Sequence, residues 1–158
     1  MIKILFVCHG NICRSPMAEY VMKHLVSIRG LEEHFYIDSA ATSTEEIGNG
    51  VHRGTVAKLR SEGIPLGNHR SVQLRRSDYE KYDYILGMDH WNLKNMHRIL
   101  KEDPQEKVAL LLDFSVHPRD IADPWYTGNF DVTYEDVVEG CEALLEHILQ
   151  QDQEKLYS

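Results

Sequence analysis

Cys8-His9-Gly10-Asn11-Ile12-Cys13-Arg14-Ser15 follows the apolar run Ile2 to Val7 and leads into Pro16-Met17-Ala18-Glu19, which reads as the first turn of a helix. A buried strand, a short glycine-containing loop and a helix N-terminus, in that order, form an anion site. Loop N–H groups converge on one point, and the helix dipole adds partial positive charge there. This loop opens with a cysteine and closes with an arginine. A thiol and a guanidinium facing one anion pocket point to a nucleophile aimed at phosphorus.

Outward from this stretch, strand-like and helix-like patterns alternate. Met17, Val21, Met22, Leu25 and Ile28 recur at helical spacing from Ser15, and Gly30 ends the run. Residues 35–40 read as a second strand, followed by a polar loop to about Gly50 and a helix to Ser61. Residues 64–73 read as a loop, and a short helix is expected over 77–81. Residues 84–88 predict a third strand, and Asp89 caps a helix running to about Leu100. Val108 to Leu112 predicts a fourth, fully buried strand. A long loop then passes Asp123-Pro124, and a final helix is expected from about Thr133 to Gln150. Apolar strands separated by helices imply a parallel sheet covered on both faces. Ligands of such sheets bind beyond the carboxyl ends of the strands, where the Cys8 loop lies.

The 158 residues predict one domain spanning 1–158. No apolar run approaches the roughly 18–20 residues of a membrane span, and the N-terminal apolar run is too short for an export signal. No membrane partner and a cytoplasmic location are therefore expected. Cys8, Cys13 and Cys141 are too few for a disulfide framework, and no cysteine or histidine spacing suggests zinc. The net charge of −8 argues against nucleic acid as a partner.

A thiol attacks well only as thiolate, and loop N–H donors, the helix N-terminus and Arg14 all stabilise that anion on Cys8. His9, Gly10, Asn11, Ile12, Cys13, Arg14 and Ser15 would together hold the phosphoryl oxygens, more tightly as the transition state forms. The planar fork of Arg14 suits two of those oxygens at once. Ser15 donates to the Cys8 sulfur, caps the helix, or does both. Expulsion of an alkoxide or phenolate requires a proton. Asp123, restricted by Pro124 and followed by Trp125 and Tyr126, is the candidate acid, although an Asp-Pro pair in a loop is commonly only a turn.

Cys8-x5-Arg14-Ser15, the extended core Val7 to Glu19 and the downstream Asp123-Pro124 pair closely resemble the low-molecular-weight protein tyrosine phosphatases. The resemblance runs over nearly the whole chain. It implies a three-layer αβα sandwich, doubly wound, with a four-stranded parallel sheet in the flavodoxin-like order 2-1-3-4. It also implies two-step phosphomonoester hydrolysis without metal or cofactor. Cys8 would be the nucleophile, Arg14 the phosphate clamp, and Asp123 first the acid and then the base. Phosphotyrosine proteins would be substrates, inorganic phosphate, vanadate or sulfate would be ligands, and the chain would be a monomer or weak dimer.

Further positions carry over from the resemblance. Asn11 would hold the loop through Ser15, Ser39 and His69, with Glu19 anchoring the histidine. Asp89 matches a family aspartate, and helix capping explains it equally well. Cys13 would trap oxidised Cys8 as a disulfide, or else it simply supports the loop. Cys141 reads as core.

Three positions depart from the family pattern. Ser43-Thr44-Glu45-Glu46 stands where several relatives place a tryptophan, Trp125 replaces the first of a tyrosine pair, and His9 stands where many relatives have a small or aliphatic residue. The substrate wall of His9, Ile12, Glu45, Glu46, Trp125 and Tyr126 is therefore rebuilt. Its acidic residues either favour basic target sequences or form a solvated loop. Three alternatives are weaker: hydrolysis of phosphoarginine, disfavoured by apolar Ile12; arsenate reduction, for which the resolving cysteines are missing; and simple phosphate binding, which needs neither thiol nor acid.

Overall fold

The computed structural model describes residues 1–153. The expected domain span of 1–158 includes residues 154–158, which lie outside the described residues. Four parallel strands, β1 (Ile2–Cys8), β2 (Phe35–Ala41), β3 (Tyr84–Gly87) and β4 (Val108–Leu110), form one sheet in the order β2-β1-β3-β4. The helices are α1 (Arg14–Ile28), α2 (Arg53–Ser61), α3 (Asp78–Lys81), α4 (His90–Leu100), α5 (Pro124–Thr127) and α6 (Phe130–Gln151). The expected topology is therefore observed.

β1 is central and buried on both faces, as its apolar run, interrupted only by the partly buried Lys3, requires. Ile2, Ile4, Phe6 and Cys8 join the core built with α1 and α6, including Met17, Val21, Leu144 and Ile148. Leu5 and Val7 face the opposite core with Ile85, Met96 and Leu100. This alternation is the period of two along a strand. Cys8 pairs with Ala41 and Val7 with Gly87, so the loop after Cys8 emerges at the carboxyl edge of the sheet. No helix among the described residues is long and apolar enough to cross a membrane.

Four boundaries differ from the sequence reading; besides the three that follow, α2 begins at Arg53 rather than about Gly50, because His52 Nδ1 accepts the Gly54 N–H at 2.9 Å and caps the helix there. The fourth strand stops at Leu110 and is only partly buried at Val108 and Ala109; residues Leu111–Phe114 then form a 3₁₀ turn. The Asp113 carboxylate accepts the Leu110 N–H at 2.9 Å, and the turn lets Leu111 and Leu112 both enter the core. Strand alternation would have sent them to opposite faces of the sheet, whereas both join the core shared with α1 and α6. Second, α6 begins three residues before Thr133, because the Asn129 side chain accepts the Val132 N–H at 3.1 Å and caps the helix there. Third, the long loop contains α5, with Pro124 in its first turn and Asp123 as its cap.

Candidate active site

The Cys8–Ser15 loop is shaped by where its carbonyls go. The Cys8 carbonyl accepts from Thr42 N, and His9 O accepts from both N and Oγ of Ser43. Gly10 O accepts from Ser71 Oγ at 2.9 Å, Ile12 O from His52 N at 2.8 Å, and Cys13 O from Thr55 Oγ1 at 3.1 Å. A trans peptide points its N–H opposite to its C=O. Tying these carbonyls outward therefore turns the N–H groups of the following residues toward the Cys8 side. Asn11 N lies 3.3 Å from Cys8 Sγ and Ser15 N lies 3.4 Å from it. Ser15 Oγ adds a third contact to the sulfur at 3.0 Å.

Asn11 is the keystone of this loop. Its φ of 58° is left-handed, a conformation that Asn tolerates better than most L residues. Nδ2 donates to Ser15 Oγ at 2.8 Å and Ser39 Oγ at 2.9 Å, while Oδ1 accepts from Val72 N at 3.2 Å. Oδ1 also lies 2.7 Å from His69 Nε2, which is its donor when that nitrogen carries the proton. Because Ser15 accepts from Asn11, its own hydrogen is free for the sulfur. Ser15 makes no cap to α1, which decides between its two sequence-level roles.

Behind Asn11, buried Glu19 accepts from Ser39 Oγ and Lys23 Nζ, each at 2.6 Å. His69 Nδ1 faces Glu19 at 3.5 Å and Asp38 at 3.6 Å. Among the described residues Glu19, Asp38 and His69 form the only group of three or more side chains whose metal-ligating atoms lie within 4.8 Å of one another. Glu19 is already satisfied by Ser39 and by its ion pair with Lys23, and the cluster serves as a polar support under the loop.

Arg14 is 2% exposed and reaches the pocket from the first turn of α1. Nη1 donates to Asp89 Oδ2 at 2.6 Å and to Ile121 O at 2.9 Å, and Nη2 lies 3.4 Å from Asp123 Oδ2. Nε is buried without a protein partner. Burial works against the guanidinium charge, but Cys8, Asp89 and Asp123 more than offset it, and the pKa of Arg14 is raised. Asp89 also caps α4, as the sequence pattern predicts, its Oδ1 accepting Asn92 N at 2.7 Å.

Asp123 comes from the remote 115–123 segment. That segment is tethered by Ile121 N to Met88 O at 2.8 Å, Thr133 Oγ1 to Ala122 O at 3.1 Å, and a His90–Asp120 contact at 2.5 Å. Asp123 Oδ1 accepts Trp125 N at 3.1 Å, leaving Oδ2 toward the pocket and Arg14.

These groups line a cleft of about 110 Å³ bounded by Cys8, His9, Gly10, Ile12, Cys13 and Arg14 on its floor and by Glu45, Glu46, Asp123, Trp125 and Tyr126 around it. His9 Nε2 meets Glu45 Oε2 at 3.0 Å across the rim. Glu46 instead accepts from Asn49 Nδ2 at 2.6 Å, while Trp125 and Tyr126 are exposed. Cys13 is buried in the cleft floor, and desolvation, then the neighbouring Cys8 and Asp123, push its pKa up to about 12. Cys141 is buried in the core between α6 and α1, near Ala18 O, away from the cleft.

The sequence reading did not anticipate the carbonyl tethers Ser43, His52, Thr55 and Ser71. Isolated Ser, Thr and His carry no periodic signal, whether in a loop or, like Thr55, on α2, and their partners are distant in sequence. His52 falls inside the helix that the sequence pattern starts at about Gly50, so its role as the cap of α2 shows only in the structure.

A family model described as low molecular weight phosphotyrosine protein phosphatase matches residues 3–155. The chain is 40% identical to low molecular weight protein-tyrosine-phosphatase YfkJ of Bacillus subtilis, over 97% of this chain and 99% of that protein. The crystal structure of YfkJ superposes with a TM-score of 0.92, covering 96% of each chain. Similarity to the Gallus gallus low molecular weight phosphotyrosine protein phosphatase is 42% identity over 90% of this chain and 93% of that one. A Drosophila arginine phosphatase structure also superposes, with a TM-score of 0.84 at 32% identity, over 92% of this chain and 97% of that one.

Proposed function

The chain belongs to the low molecular weight phosphotyrosine protein phosphatases, cysteine-dependent hydrolases, and on that premise we propose that it hydrolyses phosphotyrosine in proteins through a cysteinyl-phosphate. The observation that carries this reading is the meeting of three groups in one small cleft. These are a sulfur faced by Asn11 N, Ser15 N and Ser15 Oγ, a buried arginine whose Nε–H has no protein partner, and an aspartate oxygen beside that arginine.

The thiolate of Cys8 attacks phosphorus, and the bond to the tyrosine oxygen breaks. Asp123 Oδ2 gives its proton to the departing phenolate. Arg14 and the loop N–H groups hold the three non-bridging oxygens as charge gathers on them. Asp123, now a carboxylate, takes a proton from water, whose oxygen attacks the phosphorus of the thiophosphate bond. Phosphate leaves and the thiolate returns. Asp89 keeps Arg14 oriented, and the network of Asn11, Ser39, His69 and Glu19 holds the loop in its anion-binding shape. Ile12 in the cleft offers a flat phenyl ring an apolar contact that a guanidinium lacks, which favours phosphotyrosine over phosphoarginine.

The test is turnover of phosphotyrosine, phosphoarginine and phosphoserine peptides side by side, with a chelator present. Phosphotyrosine should be hydrolysed fastest, and a preference for phosphoarginine would overturn the substrate assignment while leaving the nucleophile intact. Cys8→Ser should abolish turnover yet still bind vanadate. Asp123→Ala should slow poor leaving groups far more than good ones, since general acid catalysis contributes roughly 10²–10⁴-fold. Equal losses for both would remove Asp123 as the acid.

A further inference from the structure

His52 sits where three parts of the site meet. Its backbone N–H donates to Ile12 O at 2.8 Å, in the middle of the Cys8 loop. Its Nδ1 accepts the Gly54 N–H at 2.9 Å and caps α2, which requires the lone pair to stay on that nitrogen. The main chain and one ring nitrogen are thus both held, which leaves the imidazole little freedom to rotate. One face of the ring stacks on Phe130, with centroids 5.4 Å apart and planes 16° apart. Trp125 meets the same ring edge-on, with centroids 5.6 Å apart and planes at 76°.

The surroundings are fitted to this stack. A Cβ at Gly54 would lie 2.3–2.7 Å from three ring atoms of Phe130, so only glycine there admits the phenyl ring. Phe130 is the first residue of α6, held by the Asn129 cap. Trp125, by contrast, is 57% exposed, and it lines the cleft beside Asp123. An exposed indole on a four-residue helix needs something to hold it at one angle.

We propose that His52 is a positioning residue for substrate binding: it fixes Trp125 as the aromatic wall of the cleft and couples that wall to the loop backbone at Ile12. The inference rests on the reading of the cleft as a phosphotyrosine site. In it the substrate ring is gripped between Ile12 and Trp125, and one residue ties both. His52 touches neither the phosphoryl group nor the reacting atoms. Its effect belongs to ground-state and transition-state binding alike, hence to KM rather than kcat.

Two substitutions separate its functions. His52→Asn keeps a side-chain acceptor for the Gly54 N–H but has no ring. His52→Phe keeps a ring for Trp125 and Phe130 but cannot cap. Both are combined with Trp91→Phe, so that fluorescence reports Trp125 alone. Loss of an aromatic pair predicts a rise of about threefold to tenfold in KM for a phosphotyrosine peptide in His52→Asn, with kcat within about twofold. Acrylamide quenching of Trp125 should increase in parallel. His52→Phe should restore both readouts while lowering thermal stability through the lost cap. An unchanged KM and unchanged quenching in His52→Asn would overturn the inference, as would equal KM increases in the two variants. Absence of aryl phosphate turnover in the parent protein would instead overturn the functional reading beneath it.

Discussion

Replacement of Asn11 by alanine tests whether remote contacts hold the loop. The substitution removes four side-chain hydrogen bonds, to Ser15, Ser39, His69 and Val72. Ser15 retains Cys8, and Ser39 and His69 retain each other, so most of the stranded groups keep a partner. The net loss is then about 1 kcal/mol for each bond, roughly 4 kcal/mol in all. Alanine must also adopt the left-handed φ of 58°, which adds about 1 kcal/mol. Partial relaxation of the loop brings the expected destabilisation to about 3–5 kcal/mol. With a urea m-value of about 2 kcal/mol/M, the unfolding midpoint should fall by about 1.5–2.5 M. Asn11→Gly removes the same bonds without the left-handed penalty and should be less destabilised than Asn11→Ala. Both should lose activity, because the N–H groups would no longer converge. A loss under about 1 kcal/mol in Asn11→Ala, or identical stability of the two variants, would refute this account of the loop.

Gly140 lies on α6 against Leu111, and a Cβ there would stand 2.5 Å from Leu111 Cγ. Gly140→Ala should therefore cost about 1–3 kcal/mol in thermal unfolding by overpacking, with KM unchanged. Burial and the neighbouring Cys8 push the Cys13 thiol up to about 12. Iodoacetamide at pH 7 should accordingly modify Cys8 and spare Cys13, as peptide mass spectrometry would show, and vanadate should protect Cys8. Glu139 is held at about 2 by bonds from Arg119 and Ser115. Its depressed pKa contributes stability above the unfolded value of about 4.3, and that contribution is lost as pH falls toward about 2. Glu139→Gln should flatten this part of the stability–pH curve, measured by denaturation between those limits.

The sheet was legible because β1, β2 and β3 carry apolar runs bounded by polar turns, and β1 is apolar on both faces as a central strand must be. The end of β4 was not legible. Val108 to Leu112 is continuously apolar, and nothing local distinguishes a strand from a turn that buries consecutive leucines. Only the Asp113 side chain, bonded to Leu110 N, decides it. The same contrast holds in the site. Cys8, Arg14 and Ser15 lie within one loop and announce an anion pocket by spacing alone. Asp123 stood out locally only as an Asp-Pro pair before two aromatics and gained weight from the family resemblance, because the fold brings it beside Arg14 from more than a hundred residues away.

The deeper reason lies in what a phosphate nest demands of its backbone. Each N–H turned inward forces a carbonyl outward, and a buried carbonyl must be paired. A loop this short cannot pair them itself, so Thr42, Ser43, His52, Thr55 and Ser71 supply the donors from segments that never share its sequence pattern. Those same segments carry Glu45 and Glu46 at the rim, and His52 supports Trp125. Support of the loop and the acidic part of the wall are thus encoded together, between residues 42 and 71. The residues flanking Cys8 and Arg14 specify the chemistry. A substitution within the 42–71 stretch therefore alters substrate preference freely only where no side-chain donor to the loop is lost, which makes Glu45 and Glu46 the permissive positions and Thr55 and Ser71, whose hydroxyls bond Cys13 O and Gly10 O, the restrictive ones.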